Sequence, residues 1–599
     1  MSVRWRAARC DAAFAVLLLA LGALGARHYL LIRDHRHERI ALAERQQRRV
    51  YPVPARRGSL YARSASGSVP VAISHQEPYC FIDPYLLRPK ELSDTALEVS
   101  RIVGVEFSEL QDRLFLRPDA RFVKIDRPLT PEQVRAIEDL NLQAVGVIYD
   151  WRRRYPNDSL AAPVVGFCRV DGVASGGAEL ALDEQLSAED GRRVVLADAA
   201  RRSLYPLEAE SRLPRDGRNV YLTLDANIQE FLEEAVAEAL ANHGGAETWA
   251  TGVVADPYTG DILAMVSLPA FNPNEYGRAT DETRTNRAIS LPYEPGSVVK
   301  PLFAAAAVDA GALHWTSKID CEDGRYRAHK GGWISDHGHA FGHLTLEDIL
   351  IRSSNIGMAK VGEKLGNPAL HEIARRFGFG QASGIDLPAE SPGQLRPLYS
   401  PGSSGRRRML WDGYSLRRVP FGQEISTTSL QLTMAFCSLA NGGLLLEPRM
   451  VERVTDADHE TLWRREPKVV RRVLRPSTAR QAVAVMRRVV EDEHGTGNKC
   501  RLEHWTSFGK TGTAQVVGQD ADGKFRYLDG KYTGSFIGGA PASRPRVICL
   551  ISVYCPDRSK GYYGGTVAAP YVKKVLEQTM AYMNVPPDKH AGRLATTRR

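Results

Sequence analysis

Two blocks of strand-forming sequence lie far apart in this chain, and both are too apolar to be left in water. The first, "TWATGVVADPYTGDILAMVSLP" (248–269), is a pair of apolar runs joined by Asp256-Pro257-Tyr258-Thr259-Gly260, the composition of a hairpin turn. The second, near the C-terminus, holds "KTGTAQVV", "YTGSFIGGAP" and "RVICLISVYCP". The last of these is apolar almost throughout, as a strand covered on both faces must be. Ahead of the first block, Val220 to Leu224 reads as a strand leading through Asp225, an N-cap, into an amphipathic helix. The middle of the chain is mostly helical in pattern, and "VAAPYVKKVLEQTMAYM" closes as a helix. One sheet joining the two blocks, with helices packed on it, makes a single α+β domain.

At 599 residues the chain exceeds one hydrophobic core, so further domains are expected. Most of the +9 net charge lies in residues 1–50, and no basic stripe interleaves with aromatics, which argues against nucleic acid as a partner. The N-terminus is apolar without interruption from Ala12 to Ala26. With Arg27 and His28 snorkelling, the run extends to Ile32, about the 20 residues that span a bilayer. Small residues at Ala23 and Gly25 also fit a signal-peptide cleavage site; an uncleaved anchor is the favoured reading. Arginines flank both sides, so charge alone does not orient the segment. A polar, helical stalk follows in "RDHRHERIALAERQQRRV". The eight cysteines include no C-x-x-C pair and form neither a disulfide framework nor a zinc pattern.

Chemistry concentrates in three short motifs. "YEPGSVVKP" places Ser297 and Lys300 three apart at the head of an alanine-rich apolar run, where a helix brings them onto one face. The other S-x-x-K, Ser507 to Lys510, lies on a strand, where the two side chains point to opposite faces. A serine hydroxyl needs an adjacent base, and a lysine serves only when burial or a second cation pushes it toward the neutral amine. Lys510, in "SFGKTGTAQ", supplies that cation, and Gly509 and Gly512 beside it leave room for a substrate backbone at the sheet edge. "IRSSNIG" adds Ser353 and Asn355 at a helix boundary. Each motif alone is commonplace; their order within one domain is not.

Together they resemble the penicillin-recognising serine transpeptidases, and within them the class B penicillin-binding proteins, of the division or spore-cortex type. The likeness continues through "ADPYTGDILAMVSLPAFNPN", "GHLTLEDILIRSSNIG", "FGQEISTTSLQLTMAFCSLANGG" and "YYGGTVAAPYVKKVLE". It implies a transpeptidase domain, an antiparallel sheet flanked by helices with an all-helical lobe, carried on an elongated pedestal. The expected layout is cytoplasmic tail and transmembrane helix (1–35), stalk and non-catalytic pedestal or dimerisation domain (36–216), transpeptidase domain (217–583) and tail (584–599). The resemblance makes Ser297 the nucleophile that opens the D-Ala-D-Ala bond of a peptidoglycan stem peptide, and Lys300 its general base. It makes Ser353 a proton relay, gives the substrate amide to Asn355, and lets Lys510 tune the field. Thr511, Gly512 and Thr513 bind substrate, and the N–H groups of Ser297 and Thr513 form the oxyanion hole. An amine from a second stem is the acceptor, β-lactams are inhibitors, and no cofactor is expected. Catalysis is placed outside the cytoplasmic membrane, in septal wall synthesis. A glycosyltransferase and divisome membrane proteins are the implied partners.

In the pedestal, "RRGSLYARSASG" keeps Arg57 and Gly58 but has Ala62 where the family carries an acid, while Glu179 matches a later family acid. Three histidines in "SDHGHAFGH", His337, His339 and His343, are spaced as ligands could be; a polar loop accounts for them, and no metal is expected. The same serine and lysines suit a β-lactamase or a β-lactam sensor, but the sequence offers no distinct acid to activate a deacylating water. A non-catalytic division scaffold is the third reading, and the intact motifs speak against it.

Overall fold

The computed structural model describes residues 2–118, 120, 122–197, 203–328, 332–336, 339–400, 408–519 and 522–589. The chain divides into two compact units, each built from two segments. The first is Met1–Arg56 with Ala188–Asp216, the second Arg57–Ser187 with Gly217–Arg599.

In the first unit, one helix runs Ser2–Gln47. Its section Ala8–Arg33 is exposed throughout and is, among the described residues, the one helix long and apolar enough to cross a membrane. Arg48–Val53 then pairs antiparallel with Gly191–Ala197, which pairs in turn with Ser203–Pro206.

The second unit carries two large sheets. A seven-stranded one runs Thr461–Arg464, Val451–Thr455, Asn219–Asp225, Leu60–Ser64, Gly67–Ile82 and Val123–Pro128, with Val145–Arg154 also on Gly67–Ile82. Asn219–Asp225 lies parallel to Leu60–Ser64 here, so the strand read from Val220 to Leu224 joins this sheet and not the one behind the motifs. Asp225 caps the following helix, Ala226–His243, by accepting from the N–H groups of Asn227 and Ile228.

The other sheet has five antiparallel strands in the order Ile262–Leu268, Trp249–Ala255, Val547–Tyr554, Phe525–Ala540 and Phe508–Gln519. It joins the two distant sequence blocks as the apolar patterning requires. Val547–Tyr554 takes the middle and is buried along all but its last residue. Helices Ala226–His243 and Ala569–Tyr582 pack on one face, and Ser429–Ala440 on the other. Ser429–Ala440 and Lys300–Asp309 are apolar nearly all round, so both end up inside a helical lobe. Phe508–Gln519 is left at the edge, with one side of its backbone free of a neighbouring strand.

Ala62 is buried in Leu60–Ser64, where an unpaired carboxylate would be costly. Arg57 instead donates to Glu179 (3.0 Å) and Asp183 (2.5 Å), and Arg153 donates to Glu179 (2.6 Å). The ion pair around Arg57 therefore stands without an acid at position 62.

Candidate active site

The nucleophile segment is a 3₁₀ turn, Gly296–Val299, running into the α-helix Lys300–Asp309. This refines the plain helix expected from the sequence, and Pro301 is the reason. In an α-helix the Ser297 carbonyl would accept from residue 301, which has no N–H, so it accepts from Lys300 instead. In a 3₁₀ turn residues i and i+3 lie almost in line, and Ser297 and Lys300 fall on one side.

Two glycines fix this turn in the protein. Gly422, at φ +87°, accepts a hydrogen bond from the Gly296 N–H at 3.1 Å, and a Cβ on it would meet the Gly296 carbonyl. Gly512 faces the turn from the edge strand, where a Cβ would lie 2.5 Å from Val298 Cγ2. Gly509 similarly lies against Ile537 and Phe536. The space that the sequence reading gave to a substrate backbone is taken up by packing inside the protein.

Lys300 and Lys510 are both fully buried. Lys300 Nζ donates to the Ser353 carbonyl (2.6 Å), Asn355 Oδ1 (2.7 Å) and Ser353 Oγ (3.3 Å). Lys510 Nζ donates to Ser353 Oγ at 2.9 Å, and to the carbonyl and Oγ1 of Thr511. One serine hydroxyl thus sits between two amines. Burial pushes Lys300 well below the usual lysine range, and the neighbouring Lys510 charge pushes it further. Burial alone brings Lys510 down to about 7. Lys300 is parked on the S-x-N segment, while the half-buried Ser297 lines the cleft beside it. Such contacts commonly close only once substrate is bound. The second S-x-x-K separates as expected: Ser507 Oγ donates to the Cys500 carbonyl, away from Lys510.

Ser353 holds a left-handed backbone, φ +59°, that non-glycine residues rarely adopt. The helix Asn355–Leu365 that follows is capped by Ser354, which accepts from the Gly357 N–H. Ser353 and Asn355 are thereby free of capping duty and turn toward the lysines. Asp336 completes the arrangement. It is buried, and accepts from the N–H groups of Asn355 (2.6 Å) and Ile356 (3.0 Å) and from Ser354 Oγ (2.7 Å). No local sequence signal marks this aspartate, because the groups it binds lie 18 to 20 residues further along the chain. His337 lies outside the described residues, His343 sits in the short strand His343–Thr345, and His339 lines the cleft.

The cleft measures about 510 Å³, with Ser297, Ser353, Asn355, Thr511 and Thr513 in its lining. Thr511 Oγ1 donates to Thr496 Oγ1 (3.0 Å), and Thr513 Oγ1 accepts from the Gly564 N–H (3.2 Å). Tyr532, Tyr562 and Tyr563, stacked at 4.4 and 4.3 Å between centroids, form another part of the wall. Glu294, three residues ahead of Ser297, accepts from the Glu424 N–H (2.9 Å) and from the Tyr527 hydroxyl (3.0 Å). Its burial lifts the carboxyl to about 7. None of these outlying partners carries a local sequence signal.

Residues 250–577 match the family described as the penicillin-binding protein transpeptidase domain. The chain belongs to that family. Residues 52–222 match the penicillin-binding protein dimerisation domain, which makes this a class B penicillin-binding protein. The chain is 31% identical to the probable peptidoglycan D,D-transpeptidase PenA of Neisseria meningitidis, over 90% of its own length and 87% of the relative's. It is 29% identical to the probable peptidoglycan D,D-transpeptidase PbpC of Pseudomonas aeruginosa, over 96% and 94%. Among solved structures, penicillin-binding protein 3 of Mycobacterium tuberculosis in complex with ampicillin aligns with a TM-score of 0.68 at 26% identity. That alignment covers 90% of this penicillin-binding protein and 98% of the solved chain.

Proposed function

We propose that this class B penicillin-binding protein is a peptidoglycan D,D-transpeptidase acting through an acyl-enzyme on Ser297. Neutral Lys300 takes the Ser297 proton as Oγ attacks the carbonyl between the two terminal D-alanines of a donor stem. The N–H groups of Ser297 and Thr513 receive the oxyanion, a contribution of about 3 kcal/mol per donor in such sites. The C–N bond then breaks, Ser353 passes a proton to the leaving D-Ala nitrogen, and the acyl group stays on Ser297 as an ester. An amine of a second stem attacks that ester, loses its proton to the Ser353–lysine relay, and returns the serine hydroxyl. Asn355 holds the donor amide, and Thr511 and Thr513 hold its terminal carboxylate. The observation that carries this reading is the single hydroxyl of Ser353 bonded to two buried amines beside the cleft that holds Ser297.

A β-lactam presents a strained amide in place of the D-Ala-D-Ala bond and acylates the same serine. Helix Ala8–Arg33 anchors the chain in the cytoplasmic membrane with the catalytic unit on the outer side. The likeness of "FGQEISTTSLQL" to the division and spore-cortex branch supports a role in septal wall synthesis, with glycan chains supplied by a separate glycosyltransferase.

The test is labelling of the full-length protein with a fluorescent penicillin and mapping of the modified peptide. Label is expected on Ser297 and absent from S297A, together with loss of cross-linking. Label on another residue, or cross-linking by S297A, overturns the assignment. Depletion in cells is expected to give filaments; rounding without filamentation overturns the septal role.

A further inference from the structure

The reaction leaves His339, Arg352 and Lys499, all lining the cleft, without a task. Arg352 directly precedes Ser353. Its guanidinium lies 5.6 Å over the Phe341 ring, and Phe341 stacks on His339 with centroids 5.3 Å apart and 10° between the planes. Cation–π contact of this kind holds a guanidinium in place without using its hydrogen-bond donors. Among the described residues Arg352 has no carboxylate partner, and Lys499 reaches only Thr566 Oγ1, at 3.4 Å. The cleft's own carboxylate, Asp336, is occupied by two backbone N–H groups and the Ser354 hydroxyl. Elsewhere in this unit, several arginines near the interior face acids: Arg57 and Arg153 face Glu179, Arg449 faces Asp261, and Arg465 faces Glu447. Arg287, away from the cleft, lies over the Trp249 ring without an ion pair among the described residues. A braced arginine and a lysine left facing an open cleft match an anion that arrives with the ligand.

The donor's terminal carboxylate is already assigned to Thr511 and Thr513, so the anion at Arg352 is a different one. We propose that Arg352, braced by Phe341 and assisted by Lys499, binds a second carboxylate of the donor stem, carried on the side chain of the residue preceding D-Ala-D-Ala. This rests on the transpeptidase reading and adds a specificity to it. The site discriminates donors by charge upstream of the scissile bond, and a donor with that carboxylate amidated is the poorer substrate.

Two synthetic peptides ending in D-Ala-D-Ala test this, identical except that the preceding side chain ends in a free carboxylate or in its carboxamide. Acyl transfer to a D-amino acid acceptor is measured for the parent, R352Q, R352K and K499Q. The parent is expected to prefer the free acid by five- to tenfold in kcat/KM. R352Q should reduce that preference to below twofold, and K499Q should reduce it partly. R352K should keep an intermediate preference, since an ammonium retains the charge without the planar fork. The preference is a ratio within one variant, so loss of folded protein cancels from it. Equal use of both peptides by the parent, or an R352Q that slows both by the same factor, overturns the proposal. Turnover of neither peptide, with Ser297 unlabelled by penicillin, would instead overturn the transpeptidase reading beneath it.

Discussion

Ser353 Oγ accepts from both buried lysines, so the charge of Lys510 acts on Lys300 across a single hydroxyl. Lys510 keeps its proton below about 7, and its charge holds Lys300 down. K510Q removes that charge and lets the Lys300 pKa rise. The acidic limb of the penicillin acylation profile should move to higher pH, together with a lower maximal rate; an unmoved limb would separate the two lysines. Glu294 gives a second pH effect of opposite origin. Burial and the nearby Glu424 raise its carboxyl from 4.5 to about 7, against hydrogen bonds from Glu424 N–H and Tyr527 and the charge of Arg418. Folded protein therefore holds a proton that the unfolded chain has released between those pH values, and stability falls as pH rises through that window. E294Q is neutral throughout and should be the more stable form above pH 7, by at most about 3 kcal/mol. Melting curves of both forms from pH 4.5 to 8 check this, and parallel curves would refute it. Ser297, Lys300, Ser353, Asn355 and Lys510 stand out in the sequence as residue types at motif spacings, and the family resemblance adds Thr511 and Thr513. Asp336 and Glu294 do not, because their partners are backbone N–H groups, a serine and a tyrosine that the fold brings from elsewhere.

At the level of elements, the site is a turn held against an edge strand. Gly512 is what lets Phe508–Gln519 approach Val298. G512A should push the two apart and lower the acylation rate ten- to a hundredfold with modest loss of stability. V298A, which clears the Cγ2 that the new methyl meets, should restore much of that loss in the double variant. If V298A gives no rescue, the glycine serves something other than this contact. The hairpin 248–269, the three late strands and the Asp225 cap could be read from apolar alternation, turn composition and capping chemistry. The 3₁₀ character of Gly296–Val299 was equally available, since it follows from Pro301 lacking an N–H. What patterning could not supply was the partner of each strand: Val220 to Leu224 reads as a strand from its residues alone, but its parallel pairing with Leu60–Ser64 depends on a distant segment.

Across the second unit, Glu179 links three stretches of chain that the sequence keeps apart. It is fully buried between Arg57 and Arg153, and Tyr155 adds a hydroxyl at 3.2 Å. E179A leaves two guanidinium groups facing an empty position and should cost roughly 3–5 kcal/mol. Urea unfolding measures this, with penicillin acylation per folded molecule expected to stay near the parent's. A loss below 1 kcal/mol would mean that solvent replaces the carboxylate. The five-stranded sheet carries a consequence for how such a chain is made. Val547–Tyr554 separates Trp249–Ala255 from Phe525–Ala540, and among the described residues it is the last strand to be synthesised. Until it emerges, nothing joins the early hairpin to Phe525–Ala540, the strand on which the Lys510-bearing Phe508–Gln519 pairs. A ribosome that stops before codon 547 would therefore release a protein with Ser297, Ser353 and Lys510 all present and no working pocket, so cross-linking power arrives only with the final tenth of translation.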